Sequence, residues 1–224
     1  MKLIERELGL EIELKESRVS VLVIEDIRQR LSLVNQLFAQ TSSQDSAWIL
    51  VEDEKSFDIS KKCEIILEPF SVDLNSRKII SKLFQEITER ADEEFYEEGL
   101  MLHSQISAYL EQLLEKLPYP IAYSSAWDLN NVLKMYGVKL SEDCEDQFDM
   151  LCSYIKLLSQ ICGTEIFILV NMKSFFTETQ ISELYKMASY GKMYLVLIEF
   201  SVDSHRYSEE DTYILDSDGC IITY

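Results

Sequence analysis

Arg77, Lys78 and Lys82 stand in the stretch DLNSRKIISKLFQEI, Asp73–Ile87. Ile79, Ile80, Leu83, Phe84 and Ile87 recur there at three- and four-residue spacing, which predicts an amphipathic helix. Asn75 and Ser76 are suited to cap its start. The cations then fall on the exposed face in the first turns, where the helix dipole favours acids. Cations beside the free N–H groups of a helix start can hold a phosphate. Lys173 has a related place, after a strand and before a helix capped at Thr177, and Lys61 and Lys62 precede a strand at Cys63. Each of these cations taken alone also reads as an ordinary solubilising residue.

Other chemistry finds less support. Six glycines lie at 9, 99, 137, 163, 191 and 219, the closest pair 26 positions apart. A phosphate-cradling loop needs glycines close together, so neither GxxxxGK[ST] nor GxGxxG exists here and no nucleotide is expected. The strand IFILVN ends in neutral Asn171, where P-loop ATPases place a magnesium-binding aspartate. The two histidines, His103 and His205, have no local Ser or Cys partner pattern, and no catalytic residue is expected. The acidic runs Ala91–Glu98, Ser141–Asp149 and Ser208–Asp218 lack EF-hand spacing and read first as solvated faces. Cys63, Cys144, Cys152, Cys162 and Cys220 are odd in number and form no CxxC, against a disulfide framework or zinc cluster.

The elements that would position the cations are α/β. EIELKE (Glu11–Glu16), the β-branched Val19–Ile24, AWILVED (Ala47–Asp53) and CEIILEP (Cys63–Pro69) read as strands. Ile27–Gln40 reads as a helix with Leu31, Val34, Leu37 and Phe38 on one face, and Thr41–Ser46 as a loop. From Asn75 to Leu117 the pattern is nearly unbroken helix, with Gly99 as the break and Ile106, Leu110, Leu113, Leu114 and Leu117 as an apolar stripe. Glu142–Cys162 is another helix. Ile166–Val170 and Met193–Phe200 flank the helix Thr177–Tyr190, a βαβ unit that implies a parallel sheet. Thr212–Tyr224 closes as a hairpin about Asp218-Gly219. The expected organisation is a discontinuous α/β head of residues 1–74 and 137–224 with a helical extension of residues 75–136.

The chain's 224 residues are 47% hydrophobic and 11% aromatic, enough for a buried core. Forty acids against 21 bases give a net charge of −19, which repels nucleic acid and anionic membranes at long range. No stretch approaches the roughly 20 apolar residues of a membrane span, and no signal peptide is apparent. A soluble cytoplasmic protein without membrane partners is expected.

Several segments in order resemble the small ring-forming spacer-acquisition proteins of type II-A CRISPR systems. They are VLVIEDI (Val21–Ile27), DLNSRKIISKL (Asp73–Leu83), YGVKL (Tyr136–Leu140), IFILVNMKSFFT (Ile166–Thr177), LVLIE (Leu195–Glu199) and YILDSD (Tyr213–Asp218). The resemblance implies a head whose mostly parallel sheet resembles a degenerate P-loop ATPase fold, plus a long helical extension. It implies a non-catalytic homotetrameric ring that surrounds double-stranded DNA at its ends, and partners in the CRISPR integrase complex and the RNA-guided nuclease. Arg77, Lys78, Lys82, Lys61, Lys62 and Lys173 are then the candidate DNA-facing residues. Calcium supports the ring in family members, through an acidic run before the segment matching YGVKL. Here that region, Ile121–Leu133, has Asp128 as its only acid, so Asp128 is the candidate metal ligand, and either other carboxylates complete a calcium site or calcium binds weakly or not at all. A bridging subunit without DNA binding and a metal-dependent nuclease stand as alternatives.

Overall fold

The computed structural model describes residues 1–41, 47–53, 55–57, 59–202, 205 and 207–223. The chain divides into two compact units, residues 1–74 with 142–224, and residues 75–141.

The first unit holds two sheets. β1 (Lys2–Glu5), β2 (Leu10–Glu13), β4 (Trp48–Glu52) and β5 (Lys55–Phe57) form an antiparallel sheet in the order β2-β1-β4-β5. The larger sheet contains β3 (Val19–Ile24), β6 (Cys63–Ile66), β7 (Ile166–Val170), β8 (Tyr194–Glu199), β9 (Glu210–Leu215) and β10 (Ile221–Thr223). Its order is β10-β9-β3-β8-β7-β6, parallel throughout except for the antiparallel edge strand β10. This is the mostly parallel α/β head expected from the sequence.

Why the central strands are continuous apolar runs follows from burial on both faces. One face places Leu22, Ile24, Ile168, Val170, Val196 and Ile198 in a common core with Leu33 and Leu37 of α1 (Ile27–Thr41) and Trp48 of the small sheet. The alternate residues Phe167, Leu169, Leu195 and Leu197 are buried as well. α6 (Gln147–Cys162) buries Leu151, Ile155 and Leu158, and α7 (Glu178–Tyr190) buries Ile181 and Leu184. The short α2 (Ile59–Lys62) leads directly into β6. The hairpin at Asp218-Gly219 is present, with Gly219 at φ 81°.

The second unit consists of α3 (Arg77–Glu94), α4 (Tyr96–Leu114) and α5 (Leu129–Met135), with α3 meeting both others. The helix breaks at Phe95, whose φ of −128° leaves the helical region, and not at Gly99, which lies inside α4. Apolar burial is sparse in this unit. Ile79 and Phe84 are buried in α3, and α4 buries none of its residues. The expected stripe is half open: Ile106 and Leu113 of α4 are 40% and 44% exposed, and Leu117, beyond the end of α4, is 47% exposed.

Two further expectations change. Of the expected stripe on α1, Leu37 is buried and Val34 packs against the core, whereas Leu31 and Phe38 are exposed and Leu33 completes the core face instead. α5, β1 and β5 lacked a periodic signal long enough to separate from their surroundings, and β9 begins at Glu210, two residues before the expected hairpin. The stretch expected to form a loop at 41–46 begins inside α1 at Thr41, and 42–46 lie outside the described residues.

Candidate nucleic-acid interface

α3 starts as its sequence predicts, with Ser76 at the N-cap, but Ser76 makes no side-chain cap bond and no acid occupies the first turn. The Ser76 Oγ is buried without a hydrogen-bond partner. Asn75 does not cap either. Its amide is spent on Leu140: Nδ2 donates to the Leu140 carbonyl at 3.2 Å, and the Leu140 N–H donates to Oδ1 at 2.8 Å. That two-point bond ties together the two ends of the helical unit. The start of α3 therefore keeps its N–H groups without a capping side chain to accept them. Arg77, Lys78 and Lys82 are all exposed there, and Lys82 Nζ donates to Gln85 Oε1 at 3.1 Å. The positive end of the helix and the positive side chains coincide there.

The remaining cations fall elsewhere. Lys61 is exposed at the end of α2. Lys62 Nζ is 3.0 Å from Glu165 and 5.3 Å from the centre of the Phe57 ring, so its charge is partly answered inside the first unit. Lys173 is a clear correction. Its Nζ lies 2.7 Å from Glu210 Oε1, with the two side chains 9% and 8% exposed, and 5.0 Å above the Tyr207 ring. Tyr185 donates its hydroxyl to the same Glu210 oxygen, and Glu199 accepts from the Lys173 N–H at 3.2 Å. Burial, with Glu210 beside it, holds the Tyr185 phenol protonated well above its usual range. Lys173 neutralises a buried acid and offers no charge to a phosphate. One-dimensional spacing gave no sign of this, because Glu210 lies 37 positions on.

Between the first strand of the larger sheet and the helix that follows it, the chain has two acidic residues. β3 ends at Ile24 and α1 begins at Ile27. Asp26 Oδ1 accepts the Arg28 N–H at 2.9 Å, so a carboxylate already occupies the helix start. Arg30 is consumed too: its guanidinium donates to the carbonyls of Ile24, Glu25 and Phe200 at 2.7, 2.9 and 2.6 Å. The Asp26 carboxylate thus answers the start of α1, and the connection from β3 is only Glu25 and Asp26. Asn171 lies at φ 55°, in the left-handed region that asparagine tolerates, and its amide donates to Ser174.

The carboxylate of Asp128, the candidate metal ligand, is engaged in a helix cap. It caps α5: Oδ1 accepts the Asn130 N–H at 3.0 Å and Oδ2 accepts Asn131 Nδ2 at 2.8 Å. Among the described residues no three His, Cys, Asp or Glu side chains are placed to hold one ion. The histidines lie apart, His103 stacked 5.4 Å from Trp127 and His205 with Nδ1 3.4 Å from Glu178. All five cysteines are unbridged, and burial pushes the Cys152 thiol up to about 12. Among the described residues no helix is long and apolar enough to cross a membrane.

Comparison with known proteins adds the family. No curated protein matches the chain. Among solved structures, a putative ABC transporter ATP-binding protein from Pyrococcus furiosus aligns over 95% of this chain and 97% of its own, at 11% identity and a TM-score of 0.44. The model of the family described as CRISPR-associated protein (Cas_Csn2) matches residues 40–219, more than three-quarters of the sequence. The chain belongs to the CRISPR-associated Cas_Csn2 family.

Proposed function

We infer that this CRISPR-associated protein binds double-stranded DNA ends without sequence preference or cleavage, as a ring of four copies acting in spacer acquisition with the integrase complex and the RNA-guided nuclease. The observation that carries the reading is the start of α3, where uncapped N–H groups and the exposed cations Arg77, Lys78 and Lys82 coincide. A duplex phosphate supplies the anion that the helix itself lacks. Net charge cannot attract DNA, since four copies would carry four times −19, or −76. A ring resolves this by sorting sign, with acids outside and these cations within. Assembly has its own support in α4. Leu102, Ile106, Tyr109 and Leu113 recur at spacings of four, three and four and are all at least 40% exposed, a stripe suited to another helix of a second copy. Glycines too far apart for a phosphate-cradling loop favour a binding role over nucleotide hydrolysis, and Lys61 is the further exposed cation available to DNA.

A filter-binding assay with linear and covalently closed duplex tests the reading. Retention of intact linear DNA alone is expected. Loss of retention in Lys78→Glu with Lys82→Glu, at unchanged oligomer mass, is expected next. No retention at low salt favours a bridging subunit, and shortened products favour a nuclease. Unchanged affinity in the double variant means that another face binds.

A further inference from the structure

Calcium is the one ion that the family resemblance brings to this fold, and the residues at its place have been put to other use. Calcium takes about six to eight oxygen ligands, with carboxylates carrying most of the charge. Residues 121–135 contain one carboxylate, Asp128. Its two oxygens accept from the Asn130 N–H and the Asn131 amide, and its backbone carbonyl accepts from the N–H groups of Asn131 and Val132 at 3.1 and 3.3 Å. Glu111, on the facing helix α4, accepts the Tyr123 hydroxyl at 3.1 Å. Trp127 lies against His103 of α4, ring centres 5.4 Å apart and planes tilted by 34°. Asp92 and Glu98 line a cavity of about 410 Å³ with Asp128, yet no three carboxylates gather about one point, and every residue of this unit is described.

We propose that the segment 121–135 is a metal-free clasp, in which neutral donors do what a cation would otherwise do. The Tyr123 hydroxyl answers Glu111, the Asn131 amide and the start of α5 answer Asp128, and the Trp127–His103 contact supplies the apolar closure. Within the segment Asp128 is the only acid, and both of its oxygens already accept from neutral donors. The helical unit then folds, and the protein assembles, without regard to calcium. The inference does not depend on DNA binding, and its test contains no DNA.

Melting midpoint and solution mass are measured on the full chain in millimolar calcium and in EDTA. Midpoints within about 1 °C of each other and equal masses are expected. Asparagine keeps the acceptor for the Asn130 N–H but lacks the charge and the second acceptor that meets Asn131 Nδ2, so Asp128→Asn should melt within about 2 °C of the parent, by the same amount in both media. Asp128→Ala should melt about 2–4 °C lower, as expected for losing a cap in a chain of this size, by the same amount with and without calcium. A midpoint several degrees higher in calcium, lost in Asp128→Asn, overturns the proposal by making Asp128 a ligand. A rise that survives Asp128→Asn overturns it equally, by placing the ion elsewhere. A mass that changes between calcium and EDTA does the same.

Discussion

Two helix starts in this protein look alike in sequence and differ in chemistry. Before α7 stands Lys173; at the start of α3 stand Arg77, Lys78 and, a turn later, Lys82. α7 is closed by a reciprocal capping box: the Gln180 N–H donates to Thr177 Oγ1, the Thr177 N–H donates to Gln180 Oε1, and Glu178 sits in the first turn. Its positive end is answered from within, and the nearby lysine turns inward to Glu210. α3 has neither cap nor acid, and its cations face outward. A cation near a helix start is thus no sign of an anion site by itself. Whether the helix has already satisfied its own donors decides between the two outcomes.

The same substitution made in both places should split the two roles. Lys173→Met leaves Glu210 buried without its counter-charge, and should cost about 3–5 kcal/mol, read as a lower urea midpoint at unchanged slope. Glu210→Gln added to it should restore most of the loss, since the uncompensated charge is gone. If Lys173→Met instead melts like the parent and loses DNA, the contrast collapses. Lys78→Met with Lys82→Met should do the reverse. Stability should stay within about 0.5 kcal/mol, as for most surface changes. DNA affinity should fall, and the slope of log affinity against log salt should weaken by about 0.9 for each phosphate no longer neutralised. A weaker midpoint with unaltered salt dependence would make these two lysines structural.

The sequence carried the periodic parts of this fold and failed where partners are distant. β3, β7 and β8 were legible because six- and five-residue apolar runs buried on both faces have few other readings. The capping box of α7 was legible because its two residues are three apart. β9 was read only from Thr212, since Glu210 and Asp211 disguise its beginning, although they pair with Val19 and Ser20 of β3. α4 misled for a physical reason: its apolar residues are spaced for burial, yet within this chain Leu102, Ile106, Tyr109 and Leu113 stay exposed. Periodicity reports that a face is to be covered, not that the same chain covers it. At the site, exposure of Arg77, Lys78 and Lys82 followed from the helical wheel. The inward turn of Lys173 and the capping role of Asp128 needed Glu210 and α5, neither of which local spacing reveals.

Smaller effects separate the caps. Thr177→Ala removes the hydroxyl that accepts the Gln180 N–H, and should cost about 1 kcal/mol in thermal or urea unfolding. Ser76→Ala, at the corresponding position of α3, should change stability by less than about 0.5 kcal/mol, because its hydroxyl makes no bond to lose. Equal costs at the two sites would mean that Ser76 caps α3 in solution.

Ser76→Asp tests the trade-off directly and is the one single substitution here expected to raise stability. A carboxylate at the N-cap supplies both the missing acceptor and the charge that the dipole favours, so α3 should gain about 0.5–1 kcal/mol. That same carboxylate would pair with the cations beside it and occupy the place of the phosphate. Retention of linear duplex should therefore fall several-fold while the melting midpoint rises. Stability and DNA binding moving in opposite directions is a signature that general damage to the fold does not produce. A variant that gains stability and retains DNA as the parent does would show that the start of α3 is simply an uncapped helix, and that the duplex is held by another surface.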